Sequence, residues 1–274
     1  MNAYEKLKAT RKSNRPTSNL YIKEIFDSPL ELHGDRRFSD DLAIVAGVGF
    51  LGKYPVTFIG TEKGKPDLQD RMARNFGCPK PDGYRKALRL MKQAEKFHRP
   101  VICFVDTQGA FAGADAEERG QGQAIAESIM EMMGLKTPVI SIVIGEGGSG
   151  GALALASANK VFILENAVYS VISAEGCASI LWKEASPENV AKAAECLHIT
   201  AQDMKNLGIA EDIITEDFEN FSNMCENMKN KLIESIEELL ELSEEDLLEH
   251  RYRRFRKFGV FDEEKKGLFR KNKI

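Results

Sequence analysis

The chain has 274 residues, 43% of them hydrophobic and 29% charged, with a formal net charge of −4. That balance belongs to an ordinary globular protein and excludes a broadly basic nucleic-acid surface. No apolar run approaches the roughly 18 residues of a membrane helix, and MNAYEKLKATRKSNRP lacks a signal-peptide core, so a soluble, cytoplasmic chain is expected.

Residues 1–23 carry six Lys or Arg against one Glu and read as a solvated, partly mobile segment. Asn19 to Phe26 reads as a helical turn leading to Leu32-His33-Gly34-Asp35-Arg36, with His33 taken as structural rather than as a ligand. Ala43–Gly49 and Val56–Gly60 flank Leu51-Gly52-Lys53-Tyr54 and predict a β-hairpin. Lys63, Lys65, Arg71 and Arg74 then form a basic cluster. It suits either phosphates or ordinary surface charge. Asp82 is placed to cap a helix over Gly83–Phe97 whose core stripe is Tyr84, Ala87, Leu88, Met91 and Ala94.

Val101–Val105 is a short apolar run, the mark of a strand buried on both faces. Small residues follow Asp106: Gly109, Ala110, Gly113 and Ala114. Glu117–Met133 repeats apolar residues at helical spacing, and Gly134 suits a C-cap with positive φ. Val139–Ile144 is a second buried strand, ended by Gly145-Glu146-Gly147-Gly148-Ser149-Gly150-Gly151, with a helix beginning at Ala152. Strand, helix, strand, helix implies a parallel sheet with sites at its carboxyl ends. Short strands are predicted at Val161–Leu164 and Tyr169–Ile172. Ser186-Pro187 and Thr200 start helices, and the second ends at Leu207-Gly208. Phe218, Phe221, Cys225, Met228, Leu232, Ile236 and Leu239 imply one long helix. Ser243 caps a charged one over Glu244–Lys257, and the tail Lys265–Lys273 reads as solvated.

The five cysteines, Cys78, Cys103, Cys177, Cys196 and Cys225, form no C-x-x-C pair, so neither a zinc ribbon nor a disulfide framework is expected. Five glycines in seven residues at Gly145–Gly151 let backbone approach a ligand closely, with helix-opening N–H groups aimed at negative charge. A Walker loop fails, because Ala152-Leu153 stands where Lys-Ser/Thr belongs. A dinucleotide fingerprint, Gly145-x-Gly147-x-x-Gly150 with Glu165, matches only as a short pattern. Gly147-Gly148-Ser149-Gly150-Gly151 also fits a nucleophile elbow, with Asp203 or Asp212 and His250 as partners. His250 sits in a highly charged stretch, and no upstream oxyanion loop exists. Close helix–strand packing alone is the bland alternative. The remaining reading is an oxyanion hole of backbone N–H groups.

The runs DTQGAFAGADAEERGQ, VIGEGGSGGALA and YSVISAEGCASILWK, over about Leu32 to Ile214, resemble the alpha subunit of bacterial acetyl-coenzyme A carboxylase carboxyltransferase. The resemblance implies a crotonase-like α/β fold of stacked ββα units: an amino-terminal segment 1–31, a core 32–215 and a helical extension 216–274. It implies carboxyl transfer from carboxybiotin, borne by a separate biotin carrier protein, to acetyl-coenzyme A, giving malonyl-coenzyme A. The oxyanion hole falls on Gly150 and Gly151. Substrate-binding positions fall on Gly109, Ala110, Phe111, Gly113, Gly147, Gly148 and Ala152. No covalent cofactor and no metal are implied for this chain. The implied partners are a zinc-ribbon beta subunit in an alpha2beta2 arrangement, the carrier protein and biotin carboxylase, with no nucleic acid or membrane. Departures from the family pattern are Lys65-Pro66-Asp67-Leu68, Ala174 in place of a proline, and the stretch after Glu216. Glu175 reads as a capping or positioning group. A stand-alone acyl-coenzyme A hydratase or isomerase would need paired acids; Glu117 and Glu118 are adjacent and diverge on a helix. A non-catalytic scaffold would not need the glycine loop.

Overall fold

The computed structural model describes residues 1–259. The Lys/Arg-rich stretch at 265–273, read above as solvated, lies outside them. The amino-terminal segment is docked, contrary to the sequence expectation. Helix α1 (Ala3–Thr10) opens with an Asn2–Glu5 capping box and buries Ala3 and Leu7 in an apolar cluster with Ala178, Val190 and Ala193. Helix α2 (Ser18–Ile25) packs Tyr21, Ile22 and Ile25 into the main core. A strand that sequence reasoning missed, β1 (Asp27–Glu31), follows; all five of its residues are exposed, so it shows no alternation to detect.

The hairpin is present as β2 (Ile44–Leu51) and β3 (Tyr54–Thr61), joined at Gly52, whose φ of +59° suits glycine. A short helix α3 (Leu68–Ala73), capped by Asp67, precedes three consecutive left-handed residues, Asn75, Phe76 and Gly77. Helix α4 (Pro81–Lys96) starts on Pro81 with Lys80 as N-cap. Asp82 is not the cap. Its carboxylate is buried and paired with Arg85 at 2.8 Å and with Arg119. Strand β4 (Val101–Thr107) is buried throughout.

The helix expected over Glu117–Met133 is two, α5 (Ala114–Glu118) and α6 (Gln121–Met133), because Gly120 takes φ +83° between them. Gly134 does cap α6, but at φ −94°. Strand β5 (Val139–Gly148) runs four residues further than its apolar core suggests and is buried along its whole length. Helix α7 (Ser149–Leu153) therefore starts at Ser149, not Ala152.

Beyond it lie β6 (Lys160–Leu164), β7 (Val168–Ser170), α8 (Ala174–Trp182), α9 (Pro187–Cys196), α10 (Ala201–Asn206) and β8 (Asp212–Ile214). Ser173, Ser186 and Thr200 cap the three helices through their hydroxyls. The extension is α11 (Phe221–Leu240), which excludes Phe218, and α12 (Glu244–Arg256). Helix α12 is not simply solvated. Arg251 is fully buried and donates to Met132 O, Met133 O and Leu135 O at the end of α6, to Thr137 O and to Asn159 Oδ1, at 2.7–3.1 Å. A cation among helix C-terminal carbonyls is well placed, although burial pulls its pKa down to about 10.

One mixed sheet joins the strands in the order β1-β2-β3-β4-β5-β6-β8. The first two pairings are antiparallel and those from β3 to β8 parallel. Strand β5 divides its partners: Ile140–Val143 pair with β6, and Glu146–Gly148 pair with β7. That division lets the glycine-rich half of β5, still paired with β4 at Thr107 and Gly147, part from β6 and carry α7 to the carboxyl edge.

Candidate active site

Two chain segments cross at that edge, the loop after β4 and the turn from β5 into α7. A Cβ on Gly148 would lie 2.0 Å from Gln108 O, and one on Gly151 would lie 2.6 Å from Ala110 N. A Cβ on Gly145 would lie 2.1 Å from Asp106 Oδ1, and one on Gly147 would lie 2.6 Å from the Tyr169 ring. Four of the five glycines are thus required by close approach within the chain. Gly150 differs, since its Cβ would meet only Ile125 Cγ2, at 3.4 Å. Glycine there meets no steric demand, and the residue is half-buried at the start of α7.

The N–H groups of Gly150 and Gly151 belong to the first turn of α7, where a helix has no internal acceptors. Neither donates elsewhere among the described residues. Ser149, just before them, takes φ +50°, a strained setting for a non-glycine residue. Gly109 at φ +143° turns the β4 loop, which Thr107 Oγ1 ties to Gly109 O at 2.7 Å. Gln121 Nε2 fastens the loop further, donating to Pro79 O and Phe111 O. Of the residues singled out from the sequence, Gly109, Ala110, Gly148 and Gly151 meet at the crossing. Gly147, Gly148, Gly151 and Ala152 are buried, and Phe111 and Gly113 lie further along the loop.

Ion pairs hold both segments from behind, and none was legible in the sequence. Arg11, at the end of α1, donates to both oxygens of buried Glu146 (2.9 and 2.7 Å) and to Glu175 at 2.6 Å. Glu146 and then Glu175 hold the Arg11 guanidinium above its ordinary range. Partial burial would raise Glu175, but the bond from Arg11 prevails and lowers it. Arg15 donates to Ile144 O and pairs with Glu216. The expected basic cluster is dispersed: Lys63 pairs with Asp106 at 2.5 Å, Arg74 with Asp70 at 3.1 Å, and Arg71 binds Lys65 O and Ser13 O. Lys65 alone stands exposed. His33 is on the surface, 3.0 Å from Asp40.

Beside the turn lies an apolar pocket of about 350 Å³, with Ser149, Gly150 and Ser170 at its polar edge. Its walls are Leu153, Tyr169, Val171, Leu197, Met204, Leu207 and Ile209. A second apolar cleft shares Leu153, Tyr169 and Ile209 and reaches Phe255 and Phe258. Val171, Ile180, Leu181 and Leu207 are each more than half exposed, and Trp182 is 39% exposed. Sequence reasoning missed these wall residues; exposed apolar side chains in short loops and helices carry no period.

The elbow reading loses its base. Ser149 lines the pocket at α7, whereas His250 lines a different one with Lys160, Glu211 and Arg253. Asn159 is the side chain beside the His250 ring, at 3.4 Å. Ser149 makes no bond to it.

A family model described as acetyl co-enzyme A carboxylase carboxyltransferase-like matches residues 1–259. The alpha subunit of acetyl-coenzyme A carboxylase carboxyl transferase from Ruminiclostridium cellulolyticum is 54% identical over 260 residues, covering 95% of this chain and 99% of that one. The chain belongs to this carboxyltransferase alpha-subunit family. A relative from Natranaerobius thermophilus, named for subunits beta and alpha together, is 52% identical over 264 residues, 95% of this chain and 43% of its own length. Transcarboxylase 12S, solved with methylmalonyl-coenzyme A and methylmalonic acid, shares the fold, with a TM-score of 0.68 at 18% identity over 83% of this chain and 42% of that one. The crotonase-like architecture expected from the sequence is therefore the observed one. The carboxyltransferase reading stands, and neither the hydratase nor the serine hydrolase gains support.

Proposed function

We propose that this chain supplies the half-site at which carboxybiotin, borne on a biotin carrier protein, is used to carboxylate acetyl-coenzyme A, with a zinc-ribbon beta subunit and biotin carboxylase completing the system as alpha2beta2 plus accessory proteins. The observation that carries the reading is the pair of uncommitted N–H groups at Gly150 and Gly151 in the first turn of α7, with Gly150 on the wall of an apolar pocket. The pocket suits a fused, largely apolar ring with one polar edge. Carboxybiotin, as co-substrate, supplies the carboxyl group to be transferred.

The chain's own part is electrostatic. The two N–H groups donate to the oxygen on which negative charge develops, each contributing about 3 kcal/mol. Their positions are set by the crossing at Gly148 and Gly151 before the substrate arrives, so little reorganisation is needed. Leu153, Met204 and Ile209 keep water from that charge and strengthen the donors' effect. No side-chain nucleophile is required of Ser149. Gly109, Ala110 and Phe111 shape the adjoining wall, with Gly113 at its outer end; Gly147, Gly148 and Ala152 hold the donors from below.

The test is reconstitution. The chain, a zinc-ribbon beta subunit and carboxylated carrier should together convert acetyl-coenzyme A to malonyl-coenzyme A, and either subunit alone should not. Robust synthesis by this chain without a partner, or none by the complete mixture, would overturn the reading.

A further inference from the structure

The side chain of Tyr84 is fully buried, and its hydroxyl has no hydrogen-bond partner among the described residues. A buried hydroxyl without a partner costs a protein stability, and phenylalanine would fill the same space without that cost. The orphan is not at a random place. The point where a Cβ on Gly151 would sit lies 2.7 Å from Tyr84 Oη, 2.6 Å from Ala110 N and 2.8 Å from the carbonyl carbon of Gly109. The hydroxyl therefore reaches the crossing of the β4 loop and the α7 turn, outside the lining of the pocket. Around the ring, Ala124 and Ala154 are buried and Ala110, Ile125 and Ile129 pack against them, so no solvent reaches the oxygen. Burial pushes the phenol well above its ordinary range, so it keeps its proton and remains a donor.

Resting on the oxyanion reading above, we propose that Tyr84 is a positioning residue: as charge develops over Gly150 and Gly151, its O–H turns onto the Gly109 carbonyl and braces the β4 loop beneath donors that the crossing has already set. Gly109 O already accepts from Thr107 Oγ1 and has a second lone pair free for this bond. An interaction absent in the resting enzyme and made only as charge forms raises kcat and leaves substrate binding unchanged. Tyr84 does not touch substrate; it acts through Gly109 and Gly151.

The experiment uses the reconstituted carboxyltransferase with Tyr84→Phe, measuring kcat, the KM for acetyl-coenzyme A and for carboxylated carrier, and the melting temperature of the chain. The expected result is a fall in kcat of about tenfold, unchanged KM values, and a melting temperature equal to or above that of the unaltered chain. Unchanged kcat, a parallel change in KM, or a lowered melting temperature would each overturn the assignment, the last because it marks a purely structural hydroxyl. Gly150→Pro is run alongside. If it retains turnover, the oxyanion reading itself fails; if it loses turnover while Tyr84→Phe does not, only the role of Tyr84 fails.

Discussion

Replacing Arg251 with methionine removes the one buried cation that joins α12 to the end of α6. Five acceptors lose a donor. Asn159 Oδ1 keeps Val139 N at 3.1 Å, and Met132 O keeps a long contact from Leu135 N at 3.5 Å. Met133 O, Leu135 O and Thr137 O are left with none, the last two on buried residues. Two orphaned buried carbonyls at about 2 kcal/mol each give a loss of about 4 kcal/mol, and Met fills much of the volume without restoring a donor. For a chain of this size that lowers the melting temperature by about 10 °C. Arg251→Lys should fall between, since a point charge cannot span acceptors that a planar fork reaches together. Thermal unfolding followed by far-ultraviolet circular dichroism reads the loss. A midpoint for Arg251→Met within about 2 °C of the unaltered chain would refute the idea that Arg251 anchors the extension.

Asp212 on β8 is held below the usual carboxylate range by hydrogen bonds first from Lys205 and then from Lys231. Because the folded pKa is the lower one, the stabilisation is present above the ordinary value and fades as pH falls towards the depressed one. Asp212→Asn should therefore lower the melting temperature at neutral pH and matter progressively less from about pH 5 to about pH 3; an equal penalty at both ends would contradict it. Among the cysteines, Cys196 is exposed, whereas burial pushes the Cys103 and Cys225 thiols up to about 12 and also raises Cys78. A thiol reagent at pH about 8 should label Cys196 first, with Cys103 and Cys225 reacting only after unfolding; mass spectrometry checks the order, and rapid labelling of native Cys103 would contradict it.

The elements that could be read from the sequence are those with a strong period or a strong stop. The hairpin around Gly52, the buried run at Val101 and the capped helices after Ser173, Ser186 and Thr200 are of this kind. The glycine-rich segment pointed to the candidate site, but Gly145, Gly147 and Gly148 looked like loop and proved to be strand. Glycine has low β-propensity, and only tertiary pairing of Glu146–Gly148 with β7 keeps them extended. The split of α5 from α6 rests on one positive φ at Gly120, which a moment over the whole window averages away. Arg11, Arg15 and Arg251 looked like surface charge because their partners stand 92 or more positions away in the chain. Lys63 and Asp106 illustrate the converse: a cation suited in sequence to a phosphate is committed to a neighbouring strand.

The central claim is that backbone N–H groups at the α7 turn, and not a side chain, stabilise the developing charge. Gly151→Pro is a poor probe, because any atom added there strikes Ala110 N and Tyr84 Oη. A Cβ on Gly150 would make only an ordinary contact with Ile125 Cγ2, so Gly150→Ala keeps the N–H at little steric cost while Gly150→Pro deletes it. Ser149→Gly removes the hydroxyl and also relieves the positive φ. In the reconstituted enzyme, with folding checked for each variant, Gly150→Ala and Ser149→Gly should retain most malonyl-coenzyme A synthesis and Gly150→Pro should lose at least about 100-fold. Loss of activity in Ser149→Gly, with Gly150→Pro still turning over, would contradict the account.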